Sequence, residues 1–169
     1  MRVLLIALTA LVLSSCATLP KLDAARDVHQ FLVAVRDVDR AGFEAHVDRP
    51  ALKSQMRSRA LAEAPDLLGQ QPLGVVGALL AGPLIDLAVD ALVQPQVFRV
   101  VALRMGYSPD QPITNSLVIA RSLRSLGGGR VCALDKDRCA LVFGEEAGVW
   151  RLVAYEGDLS GLARLARPR

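Results

Sequence analysis

The sequence predicts an α+β fold, in which N-terminal amphipathic and buried helices are followed by a C-terminal antiparallel β-meander. Two patterns carry this expectation. From Asp23 to Leu126 apolar residues recur mostly at helical spacing, whereas from Arg130 to Tyr155 they alternate or run in short blocks broken by turn residues. Length and composition agree with one domain, since 169 residues, 52% hydrophobic and 22% charged, can bury a core without metals or staples. With 13 Gly, 9 Pro and 3 Cys the chain is not collagen-like, disordered or a disulfide-dense miniprotein.

The first segment is not part of that fold. Met1 and Arg2 precede an apolar run over positions 3–12 and then Leu13-Ser14-Ser15-Cys16. The run is too short for the roughly 30 Å of a bilayer core and has the layout of an export signal. Leu-Ser-Ser-Cys resembles the lipobox of bacterial lipoproteins, in which the cysteine thiol takes a diacylglyceryl group and becomes the mature first residue. The resemblance implies lipidation at Cys16, removal of 1–15, and a short lipidated tether over 16–22. The other reading is an ordinary signal peptide with an incidental cysteine. Several acyl chains, at about 0.8 kcal/mol per buried methylene, would anchor the protein permanently. In that class, Ala17 rather than aspartate after the cysteine implies the outer membrane, facing the periplasm. Loss of Arg2 leaves 19 basic and 17 acidic residues, a net charge of +2. That is too small a charge to point to nucleic acid, which exported proteins rarely meet.

A single domain is expected over 23–160, with a basic tail over 161–169. Val28, Phe31, Leu32, Val35 and Val38 form the stripe of an amphipathic helix over 23–40. Asp39 can cap a short second helix through Val47, and Asp48 a third, with Pro50 in its first turn and Leu52, Met56 and Ala60 on one side. The stretch 65–72 reads as a loop between prolines. From Leu73 to Val93 only Asp86 and Asp90 are charged, which raises a membrane span. Two aspartates at about 2.5 to 3.5 kcal/mol each, and the break at Gly82-Pro83, favour two buried helices, with Asp86 and Asp90 on a wetter edge of the second. A helix over 96–105, a loop over 109–112 and a helix over 115–126, ended by Gly127-Gly128-Gly129, complete this half.

Arg130–Leu134, Arg138–Phe143 and Gly148–Tyr155 then read as three strands, with Trp150, Leu152 and Ala154 on one face of the last. Cys132 and Cys139 remain once Cys16 is consumed, an even number in an oxidising compartment. A two-residue turn at Asp135-Lys136 would set them directly opposite each other, as a disulfide or as two reduced, buried thiols. They do not have redox-motif spacing, and no neighbouring residues complete a metal site.

Three stretches resemble an uncharacterised bacterial envelope family, domain of unknown function 2939. They are Val47-Asp48-Arg49-Pro50-Ala51-Leu52-Lys53, Pro83-Leu-Ile-Asp-Leu-Ala-Val-Asp-Ala-Leu-Val-Gln-Pro95, and Gly148-Val-Trp-Arg-Leu152. One departure is Arg49, where the family pattern implies an aromatic residue. The resemblance supplies no catalytic residue. The helices-then-strands order is also loosely similar to nuclear transport factor 2-like cones, in which a sheet curls around a pocket.

Sites of chemistry are few. The chain has no Gly-x-Ser-x-Gly, no His-Glu-x-x-His and no phosphate loop. Only His29 and His46 could act as neutral-pH bases, and His46 lies near Glu44 and Asp48. Lys53, Arg57 and Arg59 make the third helix basic, either a solvated face or candidates for an anionic lipid surface at about 1 kcal/mol each. The expected function is a non-enzymatic module tethered to the membrane by lipid, without cofactor or metal, that binds a protein partner or a small apolar ligand. The alternative is a small envelope hydrolase or transferase using His46 as base.

Overall fold

A computed structural model describes residues 19–68, 83, 86–87, 89–104, 107–135 and 137–157. The segment expected to be an export signal, Cys16, the first half of the apolar stretch and the basic tail lie outside the described residues. The helices with defined bounds among the described residues, α1 (Leu19–Asp37), α2 (Arg40–Ala45), α3 (Arg49–Leu68), α4 (Pro95–Arg104) and α5 (Ser116–Ser122), precede a four-stranded antiparallel sheet of β1 (Leu123–Gly127), β2 (Arg130–Asp135), β3 (Arg138–Glu146) and β4 (Val149–Tyr155). Strand order is β1-β2-β3-β4, so the α+β class and the meander are as expected. Between α3 and α4, residues 89–92 are helical, and Val89 and Val93 are buried. No helix among the described residues is long and apolar enough to cross a membrane.

Local signals set most helix starts. The Asp39 side chain accepts from the Ala41 N–H at the start of α2, Asp48 from the Ala51 N–H at the start of α3, and Asn115 from the Val118 N–H at the start of α5. Each satisfies a donor that the helix itself leaves open. α1 starts at Leu19, four residues before the expected boundary. α3 runs through Pro65 to Leu68, where a loop was expected, because one proline removes a single intrahelical bond without having to end the helix.

The larger correction concerns 123–127. Helical spacing of Ile119, Leu123 and Leu126 suggested one helix to Leu126, yet Leu123 is already extended, with φ −83° and ψ 136°, and pairs with Ala133. Sheet pairing overrides the local preference, so the meander has four strands instead of three. The glycines then close a hairpin rather than a helix. Gly128 and Gly129 have φ of +57° and +66°, the left-handed values that a two-residue turn between twisted strands needs.

The inner face of the sheet carries Val131, Phe143 and Leu152 in one row across β2, β3 and β4, with Trp150 beside them. Against this row pack Phe31 of α1, Phe43 of α2 and Leu52 of α3. α1 is also tied to the sheet by a hydrogen bond from the Trp150 N–H to Asp27 Oδ2, 2.7 Å long. Register shifts in β3–β4 leave Val153 without a partner and set Ala154 opposite Val142, so Ala154 leaves the face that Trp150 and Leu152 share.

Cys132 and Cys139 form a disulfide, with Cα atoms 5.6 Å apart. The pairing differs from direct opposition. Asp135 pairs with Arg138, so the turn falls between them, one residue later than expected, and Asp137 takes φ +67°. Cys139 therefore faces Leu134 and Cys132 faces Val142, and the bond crosses the ladder diagonally over the bulge between them.

Candidate functional site

Three stretches far apart in sequence meet at one corner. After α2, residues 46–48 run beside β4: the Leu152 N–H bonds to His46 O (2.9 Å), the Asp48 N–H to Leu152 O (3.0 Å), and Val47 forms a parallel bridge with Leu152. Arg49 then reaches the third stretch. Its Nε donates to Glu44 Oε2 (2.7 Å), its Nη2 to the Val93 carbonyl (2.6 Å), and its Nη1 lies 3.6 Å from Asp90 Oδ1. An arginine stands where an aromatic was implied, and its fork ties this corner by charge and hydrogen bonds instead of ring packing.

The other basic residues of α3 continue the same contact. Lys53 Nζ lies 2.8 Å from Asp90 Oδ2, and Arg57 Nη2 lies 2.8 Å from Asp86 Oδ2. Spacing of four along both helices makes this a ladder: 49, 53 and 57 face 90 and 86. Arg59 turns the other way and donates to the carbonyls of Tyr155 and Gly157, at 2.9 and 3.2 Å. Lys53, Arg57 and Arg59 are thus each engaged within the fold, and Asp86 and Asp90 stand on the edge expected of them.

His46 is buried, caps the C-terminus of α2, and sets Nδ1 2.8 Å from Gly42 O. Its two acidic neighbours are employed elsewhere, Glu44 on Arg49 and Asp48 on the α3 cap. His29 is half-buried on α1. No group of three or more potential metal ligands occurs among the described residues.

At this corner the hydrogen bond from Arg49 holds the Glu44 carboxyl below its ordinary value, against the opposing effect of partial burial. A lowered folded value means that Glu44 contributes stability above its unfolded value of about 4.3, and loses it as pH falls through the lower folded one. Arg49→Ala is expected to cost about 1 to 2 kcal/mol at neutral pH, because it strands the Val93 carbonyl and leaves Glu44 unpaired. Urea unfolding at pH 7 and pH 3 checks both effects, and Glu44→Gln should lose less on acidification than the unsubstituted chain. A variant as stable as the parent at pH 7 would show that the corner does not depend on Arg49.

Between the helices and the hairpin end of the sheet lies a cleft of about 740 Å³. Phe31 and Val35 of α1, Met56 of α3, Val97 and Phe98 of α4 and Leu141 of β3 form much of its wall, which is mostly hydrocarbon, with Arg59, Asp135, Arg138 and Glu156 also lining it. The volume falls within the range of about 300 to 1,000 Å³ typical of small-molecule sites. A second hollow of about 780 Å³ lies against the other face of the sheet, more open and rimmed by charges of both signs, including Glu146 paired with Arg151. Neither histidine lines the apolar cleft. Sequence reading missed this cleft. Its only local trace is the spacing of Val97, Phe98 and Val101, which any core-facing helix would share.

A family model described as "Protein of unknown function (DUF2939)" matches residues 4–101. The match covers α1 to α3, most of α4 and two of the three stretches that meet at the Arg49 corner; the one in β4 lies beyond it. No curated protein and no solved structure matches the chain. More than half of its residues fall within the family model, so the chain belongs to the DUF2939 family of proteins of unknown function.

Proposed function

We propose that this protein is a lipid-anchored module of the bacterial envelope that acts by binding rather than by catalysis, and that it takes a small apolar ligand in the cleft between its helices and sheet. The observation that carries the reading is the cleft itself: about 740 Å³ of space with walls of aliphatic and aromatic side chains. Filling such a space with hydrocarbon contributes about 25 cal/mol for each Å² of apolar surface removed from water. His46, the base of the alternative hydrolase reading, bonds the Gly42 carbonyl and caps α2.

The anchor in this proposal is Cys16. Only 17 and 18 separate it from Leu19, where α1 begins, so the helix start lies within about 10 Å of the lipid attachment. Phe31, twelve residues along α1, is about 18 Å further on at 1.5 Å per residue. The ligand site would stand close to, but clear of, the outer-membrane surface.

Intact-mass measurement of the full chain purified from bacterial membranes tests both parts. Denaturing conditions should show loss of residues 1–15 and a gain of acyl mass that Cys16→Ala abolishes. Native conditions should show an additional mass that disappears on denaturation and is absent in Val97→Trp, which fills the cleft. A denatured mass without acyl groups would overturn the anchor. A native mass with no excess would overturn ligand carriage and leave a protein partner as the form of binding to seek.

A further inference from the structure

We infer that residues 158–166 lie back over the apolar cleft and cover it, so that a ligand binds only by displacing a segment of the protein's own chain. The cover stands on the exit point of the chain and on its sequence, and its displacement rests on the binding reading above.

The fold delivers this segment to the cleft. The Glu156 N–H bonds to Ala140 O at 2.8 Å, and Arg59 Nη1 donates to the carbonyls of Tyr155 and Gly157, so the backbone is held as far as Gly157. Glu156 borders both hollows, whereas Gly157 borders only the apolar one, and the residues that follow set out from its rim. Leu159 lies within about 7 Å of Gly157 along an extended chain, and Leu162 within about 18 Å.

The segment suits the wall it meets. Leu159, Leu162, Ala163 and Ala166 recur at i, i+3, i+4 and i+7, the stripe of an element with one apolar side. On the cleft wall Val97, Phe98, Val101 and Leu141 are only half-buried, and Leu134 is 37% exposed. Laying the stripe on that wall removes both apolar surfaces from water. Charge has no part in the match, because Arg59 and Arg138 on the cleft wall are balanced by Asp135 and Glu156, and Arg164 and Arg167 fall outside the stripe. Tethering supplies the strength. A short linker holds its segment at an effective concentration of about 1 mM, so a stripe with a Kd about ten times lower covers the cleft in about nine molecules of ten and weakens a competing ligand about tenfold.

Photochemistry on the full chain in membrane vesicles tests both halves, with cross-links mapped by peptide mass. A benzophenone amino acid placed at position 162 should cross-link, within one chain, to peptides of α4 or β3. Access is read with an uncharged probe, a long-chain alcohol carrying a diazirine in its chain. Its labelling of the same peptides should rise about tenfold when Leu159→Asp and Leu162→Asp are combined. The pair Arg164→Gln and Arg167→Gln should label as the unsubstituted chain does. A cross-link from position 162 to another part of the chain, to a second copy or to another protein overturns the cover. Equal labelling of the leucine variant and the unsubstituted chain also overturns it and leaves ligand binding in place, and so does a rise in the arginine variant as large as that in the leucine variant. Cleft labelling no stronger in native than in heat-unfolded vesicles, in every variant, overturns ligand carriage instead, and the cross-link from position 162 then decides the cover alone.

Discussion

Phe31→Ala is expected to lower the unfolding free energy by about 3 to 5 kcal/mol, a large share of what a domain of this size has. Phe31 is 1% exposed and stands at the centre of a ring cluster, with centroids 5.4 Å from Phe43, 5.7 Å from Phe98 and 5.7 Å from Phe143. Those rings belong to α2, α4 and β3, so one side chain joins α1 to three other elements. Truncation removes the transfer energy of the ring, the edge-to-face contacts and the packing of a space that its rigid neighbours cannot refill. Phe31→Leu, which keeps most of the volume, should cost much less. Urea unfolding at pH 7 measures both, and a loss under 1 kcal/mol for the alanine variant would mean that the four rings do not form the keystone inferred from their geometry. Because Phe31 also lines the cleft, the alanine variant should lose the native mass excess even where it remains folded.

Removal of the Cys132–Cys139 bond has the next largest effect. A bridge between residues seven apart closes a short loop, and chain entropy then gives about 2.5 kcal/mol of stabilisation. The Cys132→Ala, Cys139→Ala pair is therefore expected to melt about 5 to 10 °C below the parent. Function should suffer more than this figure suggests. Cys139, Ala140 and Leu141 form the cleft wall at the register shift in β2–β3, and the bond spans that shift. Without it the hairpin can slide toward the regular pairing, which would turn alternate side chains of the wall to the opposite face. Calorimetry reads the stability, and native mass spectrometry reads the cleft. Unchanged melting in the double variant would show that sheet pairing alone holds this hairpin.

Both predictions concern residues whose local character was readable early and whose partners were not. The helical stripe from Val28 to Val35 and the strand pattern from Arg130 onward identified the core-facing positions, and Phe31, Leu152 and Trp150 are buried as those patterns require. The failures have a common form. Leu123 and Leu126 are three apart, a spacing that suits a helix, but Leu123 also serves a strand once β2 is available to pair with it. Gly128-Gly129, both at positive φ, close a hairpin, whereas by sequence alone adjacent glycines after a helical spacing equally signal a helix stop. The turn between Asp135 and Arg138 differs from the expected one by a single residue, and with the register shift at Ala133–Leu134 this converts direct opposition of the cysteines into a diagonal bond.

Local physics was enough for the order of helices and strands, for the caps at Asp39 and Asp48, and for the proximity of two cysteines across a turn. Each rests on forces between residues a few positions apart, namely backbone hydrogen bonding, side-chain caps and the periods of 3.6 and 2. The Arg49 corner and the cleft needed the assembled chain. Arg49 bonds a carbonyl 44 positions away, Lys53 an aspartate 37 away, and Gln55 a carbonyl 100 away. Such pairings follow from how apolar faces pack against one another, a non-directional force that many arrangements satisfy almost equally. The basic residues of α3 illustrate the difference: as a string of letters they read as a solvated face or a surface for anionic lipid, and only the folded chain shows Asp86, Asp90 and two backbone carbonyls beside them.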